Sequence, residues 1–471
     1  MGGHGLYQHI VVMLMFTVWM TTSFWATGLP VMLAPPTFWC GDHECTEAEA
    51  CESPERVYAP NSKHTMTREF HLVCETGHVV QVLELLFLSG VMMGSYCWGW
   101  AATKWGRKPV LLVTQLVHCC VFFSAISVPS FTWIYGISWV AGIAMAGLLV
   151  ADVIILTEAV DSQYRNWYSG ISFCGWGMGA AGIAFYASQT DSWRTVALTA
   201  GLVSLAVVPL LFWLDESLPY LVAMSRDKEK IAKVLKRIAA YNGRTYDPAI
   251  ESKVAVDEEP DVSVKALFQE SWILKRFLRM AGVWVAAVVG YYGILFCLPT
   301  YIGNIYTNGI VLGLSEVPAN MVTAFSLNSL GRRSTTQLLL SVGGLACATA
   351  HLAAVINSAM LQTGALFLAR FMMTALYLLI YVYTSELFPT SLRSLAMGMC
   401  TAVGNLGGLL APNLVLLSQL IGIAPLVIIS VILFLCCWVG WGLPETKGVE
   451  LSDVGKDEKQ PNFDYTPLTS D

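Results

Sequence analysis

The chain repeats one set of motifs in its two halves, in the same order. Each half has a Gly-Arg-basic loop, then a glutamate and an arginine, then a short acidic segment after its last apolar stretch. The repeated segments are Trp105–Lys108 and Leu330–Arg333, Glu158 with Arg165 and Glu386 with Arg393, and Asp215–Ser217 and Pro444–Thr446. Parallel repeats of two six-helix halves build many membrane carriers, whose binding sites lie between the halves. We therefore expect the functional residues at the interface of the halves.

The composition places the chain in lipid, because 55% of its residues are hydrophobic and only 13% are charged. A helix needs roughly 20 apolar residues to cross a bilayer. Twelve such stretches are 7–34, 78–102, 110–128, 132–158, 166–188, 194–214, 277–302, 309–329, 334–356, 362–387, 392–420 and 422–443. The first lacks a basic start and a small-residue cleavage site, so we interpret it as a permanent span. We predict an all-α membrane protein with twelve transmembrane helices in two pseudo-symmetric halves.

The spans divide the chain into two bundles, a linker and a tail. The predicted parts are an N-terminal bundle 1–214, a linker 215–276, a C-terminal bundle 277–449 and a disordered tail 450–471. In the linker, Ile231, Val234, Leu235 and Ile238 recur at helical spacing, with basic residues between them. This pattern predicts an amphipathic helix on the inner membrane surface. A bridge between the halves is favoured over a calmodulin or nucleic-acid site.

Basic residues cluster in the connections that follow even-numbered spans. They include Lys104, Arg107, Lys108, Arg165, Arg332, Arg333 and Arg393. By the positive-inside rule these connections and both termini are predicted to be cytoplasmic, with the protein in the plasma membrane. The acidic connection 35–77 would then lie outside the cell.

The connection 35–77 holds four cysteines, Cys40, Cys45, Cys51 and Cys74. We interpret them as two disulfides whose pairing the spacing does not fix. A zinc site is the competing interpretation, because four histidines lie in or next to this segment. The spacing of these cysteines and histidines matches no standard zinc-ligand pattern, so no metal is expected. The sequence also predicts no other cofactor.

Several motifs together resemble a known family. The segment Gly99–Lys108 resembles the loop signature of the major facilitator superfamily. The narrower matches are Arg68–Cys74, Ile155–Glu158 with Arg165, Tyr291–Gly293, Glu316–Pro318, Ser385–Thr390 with Arg393, Gly407–Pro412 and Leu443–Gly448. These are similar to the organic cation, anion and zwitterion transporters of solute carrier family 22. The resemblance covers nearly the whole chain and implies the twelve-helix major facilitator fold.

The same resemblance implies a set of ion pairs between helices that holds an inner gate closed. Its members here are Arg107, Glu158, Arg165, Arg332, Arg333, Glu386 and Arg393. The superfamily usually has an aspartate where this chain has Thr103 and Asn328, so the network is expected to lack two carboxylates. An ion-pair cluster made in one state and broken in another can bias a two-state equilibrium.

Three ionisable residues inside spans are candidate substrate contacts, because charges are costly in the membrane. Glu316 is expected near the bilayer midplane, since Asn328 lies about 18 Å further along a helix. Asp152 lies in span 4, where the family more often has a small residue. Arg370 lies in span 10, where the family often has a cation.

Two amides bear on charge selectivity. Asn405 occupies a position where the related cation transporters typically have aspartate and the anion transporters arginine. Asn320 lies one turn after Glu316, where anion carriers tend to have lysine. With the cations replaced and two acids retained, we expect a cation or a zwitterion rather than a simple anion, with Arg370 available to a carboxylate.

Aromatic side chains are expected to line the same cavity, because their faces attract organic cations. The candidates are Trp284, Tyr291, Tyr292, Tyr377 and Trp176, with Trp19, Phe24 and Trp25 in span 1 as further possibilities. Packing or an interfacial belt is the more common role of any one aromatic residue.

These features predict a carrier of a small organic ion rather than an enzyme. Because the sequence has no Walker loop for ATP, transport would be driven by a gradient or by membrane potential. The alternatives are an organic anion or sugar transporter, and a non-transporting receptor or scaffold on a carrier fold. The sequence does not fix an oligomeric state.

Overall fold

The computed structural model describes residues 4–41, 43–45, 47–52, 56–60, 62–74, 78–222, 227–246, 270–297, 305–410 and 414–447. Helices dominate it. They are α1 (Leu6–Met32), α2 (Glu47–Glu52), α3 (Met66–Glu69), α4 (His78–Trp105), α5 (Arg107–Ala125), α6 (Phe131–Ala159), α7 (Ser162–Gln189), α8 (Trp193–Trp213), α9 (Leu218–Tyr220), α10 (Lys228–Tyr241), α11 (Ser271–Cys297), α12 (Ile305–Ser329), α13 (Arg332–Val355), α14 (Ala359–Leu387), α15 (Thr390–Leu410), α16 (Leu414–Ile421) and α17 (Pro425–Gly440).

The twelve predicted apolar stretches all coincide with helices. The eleventh is described in two parts, α15 and α16, with 411–413 outside the described residues. Nine of the described helices are long and apolar enough to cross a membrane by length and composition. Helix α17 is shorter, and α7 and α15 are rich in glycine and serine, which lowers their hydropathy without preventing burial in a bundle.

The two halves meet mainly where α7 packs against α12 and where α4 packs against α15. Glycines make the first contact close. A Cβ atom added to Gly177 would lie 2.5 Å from the carbonyl oxygen of Gly313, closer than real side chains come. The α7 and α12 backbones therefore pack directly on each other, as small residues allow in membrane helices.

A small sheet and two disulfides structure the connection between α1 and α4. Strand β1 (Phe38–Cys40) pairs antiparallel with β2 (His43–Cys45) and β3 (Arg56–Tyr58). The disulfides join Cys40 to Cys45 and Cys51 to Cys74. The predicted pair of disulfides is therefore confirmed, and these four thiols are not available to zinc. We call this end of the bundle the sheet face.

Helix α10 packs on the chain itself, which corrects the expectation that it lies on the membrane surface. Ile231, Val234 and Leu235 are buried against Tyr220 and Leu221. Its polar side also binds the segment after α8, since Arg237 pairs with Asp215 at 2.8 Å. The short segment after α8 thus covers the apolar face that lipid was expected to cover.

The linker and the tail are described only in part. Residues 247–269 of the linker and the tail 450–471 lie outside the described residues. Helix α11 begins at Ser271, several residues before the expected start of the second bundle.

Candidate binding cavity and ion-pair network

An internal cavity of about 50 Å³ lies between the two halves. The first half contributes Trp19, Met145, Leu149, Phe173 and Trp176, and the second contributes Tyr291, Tyr292, Glu316, Asn320, Thr374, Tyr377 and Tyr381. The wall is largely apolar and aromatic, with one carboxylate. Helices from both repeats thus enclose one space, as the motif repeat predicts for a functional interface.

Glu316 and Arg370 form an ion pair at the cavity wall. A guanidinium nitrogen of Arg370 lies 3.2 Å from Oε1 of Glu316, and each of the two side chains is 8% exposed. The Tyr291 hydroxyl donates to the same oxygen at 2.7 Å, and Arg370 donates to the Tyr291 carbonyl at 2.9 Å. The guanidinium carbon also lies 3.3 Å from the centre of the Tyr291 ring. Several hydrogen bonds thus compensate a buried pair that would otherwise be costly.

Aromatic rings line the cavity that also holds the Glu316 carboxylate. The Tyr291 ring centre lies 5.2 Å from that of Tyr292 and 4.8 Å from that of Tyr377. On the opposite wall, Trp19 meets Trp176 edge to face at 6.1 Å. Electron-rich ring faces around a carboxylate suit a small organic cation or the cationic end of a zwitterion.

Six of the ten predicted substrate contacts line this cavity. They are Trp176, Tyr291, Tyr292, Glu316, Asn320 and Tyr377. The prediction missed Phe173 and Tyr381, although a signal for both was present. Phe173 lies one helical turn before Trp176 and Tyr381 one turn after Tyr377, so each shares a helix face with a predicted residue.

Four predicted contacts do not line the cavity. Arg370 lies behind Glu316, held by Tyr291 as described above. Trp284 lies behind Tyr381, 4.7 Å between ring centres, and donates to Thr384 at 2.9 Å. Asn405 donates to the Thr401 carbonyl of its own helix at 2.8 Å and is 5% exposed. In this state Asn405 therefore gives no support to the predicted charge selectivity, which stays a prediction.

The fourth, Asp152, is 1% exposed and lies behind Trp19. Of the span 1 aromatics, Trp19 lines the cavity, whereas Phe24 and Trp25 belong to the core. Trp25 packs against Phe122 with 5.5 Å between ring centres.

Glu158 and Glu386 each bind arginines in a buried network at the end of the bundle opposite the sheet face. We call this end the basic face. Glu158 of the first half binds Arg107 at 3.3 Å, and Arg393 of the second half at 2.6 Å. It also accepts a hydrogen bond from the Ser217 hydroxyl. All three charged side chains lie inside the protein.

The second half repeats this arrangement around Glu386. Glu386 binds Arg332 at 2.7 Å, and Arg165 of the first half at 3.0 Å. Thr446 donates to it at 2.6 Å, as Ser217 does to Glu158. Each glutamate thus accepts one arginine from its own half and one from the other, so the network joins the halves.

Arg333 does not belong to this buried set. Its guanidinium carbon lies 5.2 Å from the Trp441 ring centre, and its backbone N–H donates to Glu445 at 3.0 Å. The expectation that it pairs with the network glutamates is therefore wrong.

The acids Glu216 and Glu445 bind the starts of two helices, a role that the sequence did not reveal. Glu216 accepts backbone N–H groups of Arg107 and Lys108, and Glu445 accepts those of Arg332 and Arg333. A carboxylate at a helix N-terminus stabilises the helix, because its negative charge interacts favourably with the helix dipole. Burial raises the pKa of Glu216, although these N–H groups oppose the shift.

Comparison with known proteins gives consistent matches. A family model described as "Sugar (and other) transporter" matches residues 53–457. Human Solute carrier family 22 member 13 is 27% identical over 424 residues, which cover 88% of this chain and 75% of the relative. Mouse Organic anion transporter 3 is 26% identical over 413 residues, which cover 84% of this chain and 75% of the relative.

A solved structure gives the same architecture. The proton:xylose symporter XylE of E. coli, of the major facilitator superfamily, was solved with 6-bromo-6-deoxy-D-glucose. It matches with a TM-score of 0.74 at 14% identity, over 96% of this chain and 98% of that one. The major facilitator fold predicted from the motifs is therefore confirmed.

Proposed function

The chain belongs to the Sugar (and other) transporter family, and from that premise we propose that it moves a small organic ion, a cation or a zwitterion, by alternating access. The resemblance to solute carrier family 22 is confirmed by the relatives at 26% and 27% identity. The protein is therefore a membrane transporter and not an enzyme. Its solute and its gating are what we propose here.

The proposed cycle begins from a contracted state. Solute sites usually occupy about 300–1,000 Å³, whereas the cavity here is about 50 Å³. Admitting a solute thus requires the halves to separate. The two glutamate centres, Glu158 and Glu386, join the halves at the basic face, so we propose that they form the inner gate and break when that face opens.

The ion pair between Glu316 and Arg370 supports a cation or zwitterion as the solute. A solute's ammonium group could take the place of Arg370 beside Glu316, among the tyrosine rings. A zwitterion would also offer its carboxylate to the released Arg370. It would thus replace one buried ion pair by two, whereas a simple anion would leave Glu316 unpaired.

Other solutes remain as outcomes of the test. Organic anion transporter 3 carries anions according to its name, and XylE was solved with a sugar analogue. A carboxylate in a cavity lined by aromatic rings favours a cation over an anion, because both groups attract positive charge. The observation that carries the proposal is Glu316, 6% exposed, bound to Arg370 and Tyr291 at the wall of a cavity between the halves.

The test measures uptake into proteoliposomes of radiolabelled tetraethylammonium, carnitine, a monocarboxylate and glucose. We expect saturable uptake of the first or second. Glu316→Gln should lose at least about tenfold, because removing one charge of a buried ion pair costs about 3–5 kcal/mol. Tyr291→Phe should show a smaller loss. Ser315→Ala is the matched control, since that hydroxyl bonds only within its own helix.

Uptake of the carboxylate or glucose alone would reject the proposed solute class. A folded protein that takes up none of the four would favour a scaffold role. If Glu316→Gln transported normally, the site itself would be wrong.

We also propose a plasma-membrane location with the basic face in the cytoplasm, as the basic connections suggest. A cation entering a negative interior gains about 2.3 kcal/mol per charge for each 100 mV. Membrane potential alone would then suffice for uptake of a cation. For a zwitterion it would not, because the solute carries no net charge.

A further inference from the structure

Asp152 is a buried acid inside the membrane-spanning part of α6. The residue is 1% exposed, and neither carboxyl oxygen has a hydrogen-bond partner among the described residues. An ionised carboxylate without partners is far more costly to bury than the neutral acid. Burial without a partner therefore favours the neutral, protonated form of Asp152 in the state described.

The other three fully buried acids of the spans differ from Asp152 in one respect. Glu158, Glu316 and Glu386 each bind at least one arginine. Their negative charges are balanced within the protein. Asp152 has no such partner among the described residues, so a bound proton or another cation would have to neutralise it.

No other charged group among the described residues binds Asp152. Helix α6 packs against α1, α4, α5, α7, α9, α14 and α15. The buried charged or histidine side chains on these elements and on α6 itself are Arg107, His118, Glu158, Arg165, Arg370, Glu386 and Arg393. The arginines and glutamates among them form the ion pairs described above. His118 is fully buried on α5, and neither of its ring nitrogens has a partner in the described part of the chain.

Trp19 connects Asp152 to the cavity between the halves. Its ring forms part of the cavity wall. Its indole N–H approaches the Asp152 carboxyl without reaching hydrogen-bond geometry, so both groups stay unpaired. A movement of the Trp19 ring would thus bring the cavity closer to the carboxyl.

We propose that Asp152 is a proton-binding site, and that its proton exchanges with water on either side of the membrane as the halves rock. The carboxylate takes up a proton from water when the cavity opens at the sheet face. It stays neutral in the contracted state, and it releases the proton when the cavity opens at the basic face. This inference rests on the proposed alternating access and adds a driving force, the proton gradient.

The first arm of the test needs no solute, because the ligand is the proton. We would measure the thermal unfolding of purified wild type, Asp152→Asn and Asp152→Ala from pH 5.5 to pH 8.5. Above about pH 4 an unfolded aspartate is ionised, while the folded one keeps its proton. The folded state then binds more protons, so stability falls as pH rises.

We expect the unfolding midpoint of wild type to fall by several degrees over this range, and the fall to be smaller in both variants. Asparagine has the shape of the neutral acid and should fold. Glu229→Gln is the control, since Glu229 is exposed on α10 and its removal should leave the pH dependence unchanged. Variants with the same pH dependence as wild type would overturn the proton site.

The second arm measures coupling in proteoliposomes, with carnitine and tetraethylammonium as probes. An acidic outside should drive accumulation by wild type, up to about tenfold for each pH unit at one proton per solute. Asp152→Asn should still equilibrate the solute but ignore the gradient. If uptake by wild type is the same with and without the pH gradient, coupling of transport to the proton is overturned, but proton binding at Asp152 is not. If wild type takes up neither probe, the proposed function fails, while the unfolding arm still decides whether Asp152 binds the proton.

Discussion

The side-chain amide of Asn166 in the first half donates to the Asn328 side-chain oxygen in the second, at 2.5 Å. Asn166 also accepts a hydrogen bond from Arg332 at 2.9 Å. The amides of Asn166 and Asn328 thus join the two halves at the edge of the glutamate network. Asn328 takes the place of the aspartate that the superfamily usually has there.

We expect Asn328→Ala to weaken the closed basic face. It removes one hydrogen bond between the halves and leaves the Asn166 amide unpaired, at a cost of about 1 kcal/mol, which is about fivefold in the population of the closed state. Hydrogen exchange at the basic-face ends of α7 and α12 would measure this. Ser329→Ala is the control, because that hydroxyl bonds within its own helix. Equal exchange in both variants would contradict a closing role for the amide pair.

The sequence predicted the fold well because the signals for it are local. A span is recognised from its own apolar residues, and the repeat of Glu158 and Arg165 as Glu386 and Arg393 requires only reading along the chain. These signals do not depend on how helices face each other. The boundaries of twelve apolar stretches therefore agree closely with the helices.

The cavity wall was harder to predict, because helix rotation decides which residues face the solute. Asn405 and Trp284 match family motifs, yet neighbouring helices cover them. The sequence did not indicate a role for Asn166 at the interface of the halves, because an asparagine next to a basic residue is common. The role of Glu216 required knowing that the start of α5 lies next to the end of α8, which is a tertiary contact.

Helix approach between the halves gives a second prediction. Gly177→Ile places a side chain where even a Cβ atom would meet the Gly313 backbone. We expect it to force α7 from α12, lower the unfolding temperature and reduce uptake. Gly182→Ile on the same helix is the matched control, since a Cβ there meets nothing within 4 Å. Similar effects of both substitutions would show that α7 is sensitive to any large residue.

The two disulfides should contribute unequally to stability. In the chain-entropy description a cross-link stabilises more when it closes a longer loop. Cys51 and Cys74 are 23 residues apart, whereas Cys40 and Cys45 are 5 apart. We expect Cys51→Ser with Cys74→Ser to cost about 3 kcal/mol, and the other double serine variant about 2 kcal/mol. Chemical unfolding of the two variants would give the order, and the reverse order would reject the loop-length argument.

Glu69 links the connection at the sheet face to the start of α8. It accepts from Arg194 at 2.6 Å and from the Trp193 indole at 2.7 Å. Burial opposes ionisation of the carboxyl, but the hydrogen bonds and the arginine charge outweigh it and lower the pKa of Glu69. Such a group stabilises the fold above its unfolded pKa of about 4.3, and that contribution is lost as pH falls through the folded value.

We therefore expect Glu69→Gln to lower the unfolding temperature at pH 7 and to lower it less near pH 3. The lowered pKa keeps the folded carboxyl charged to below about pH 4, and wild type loses the same charge only as pH falls further. Glu229→Gln, at an exposed position on α10, is the control and should have little effect at either pH. Thermal unfolding of the purified proteins measures both differences without any assumption about which face is cytoplasmic. A Glu69→Gln deficit that is equally large at both pH values would assign the loss to altered packing, because the carboxylate charge contributes only when it is ionised.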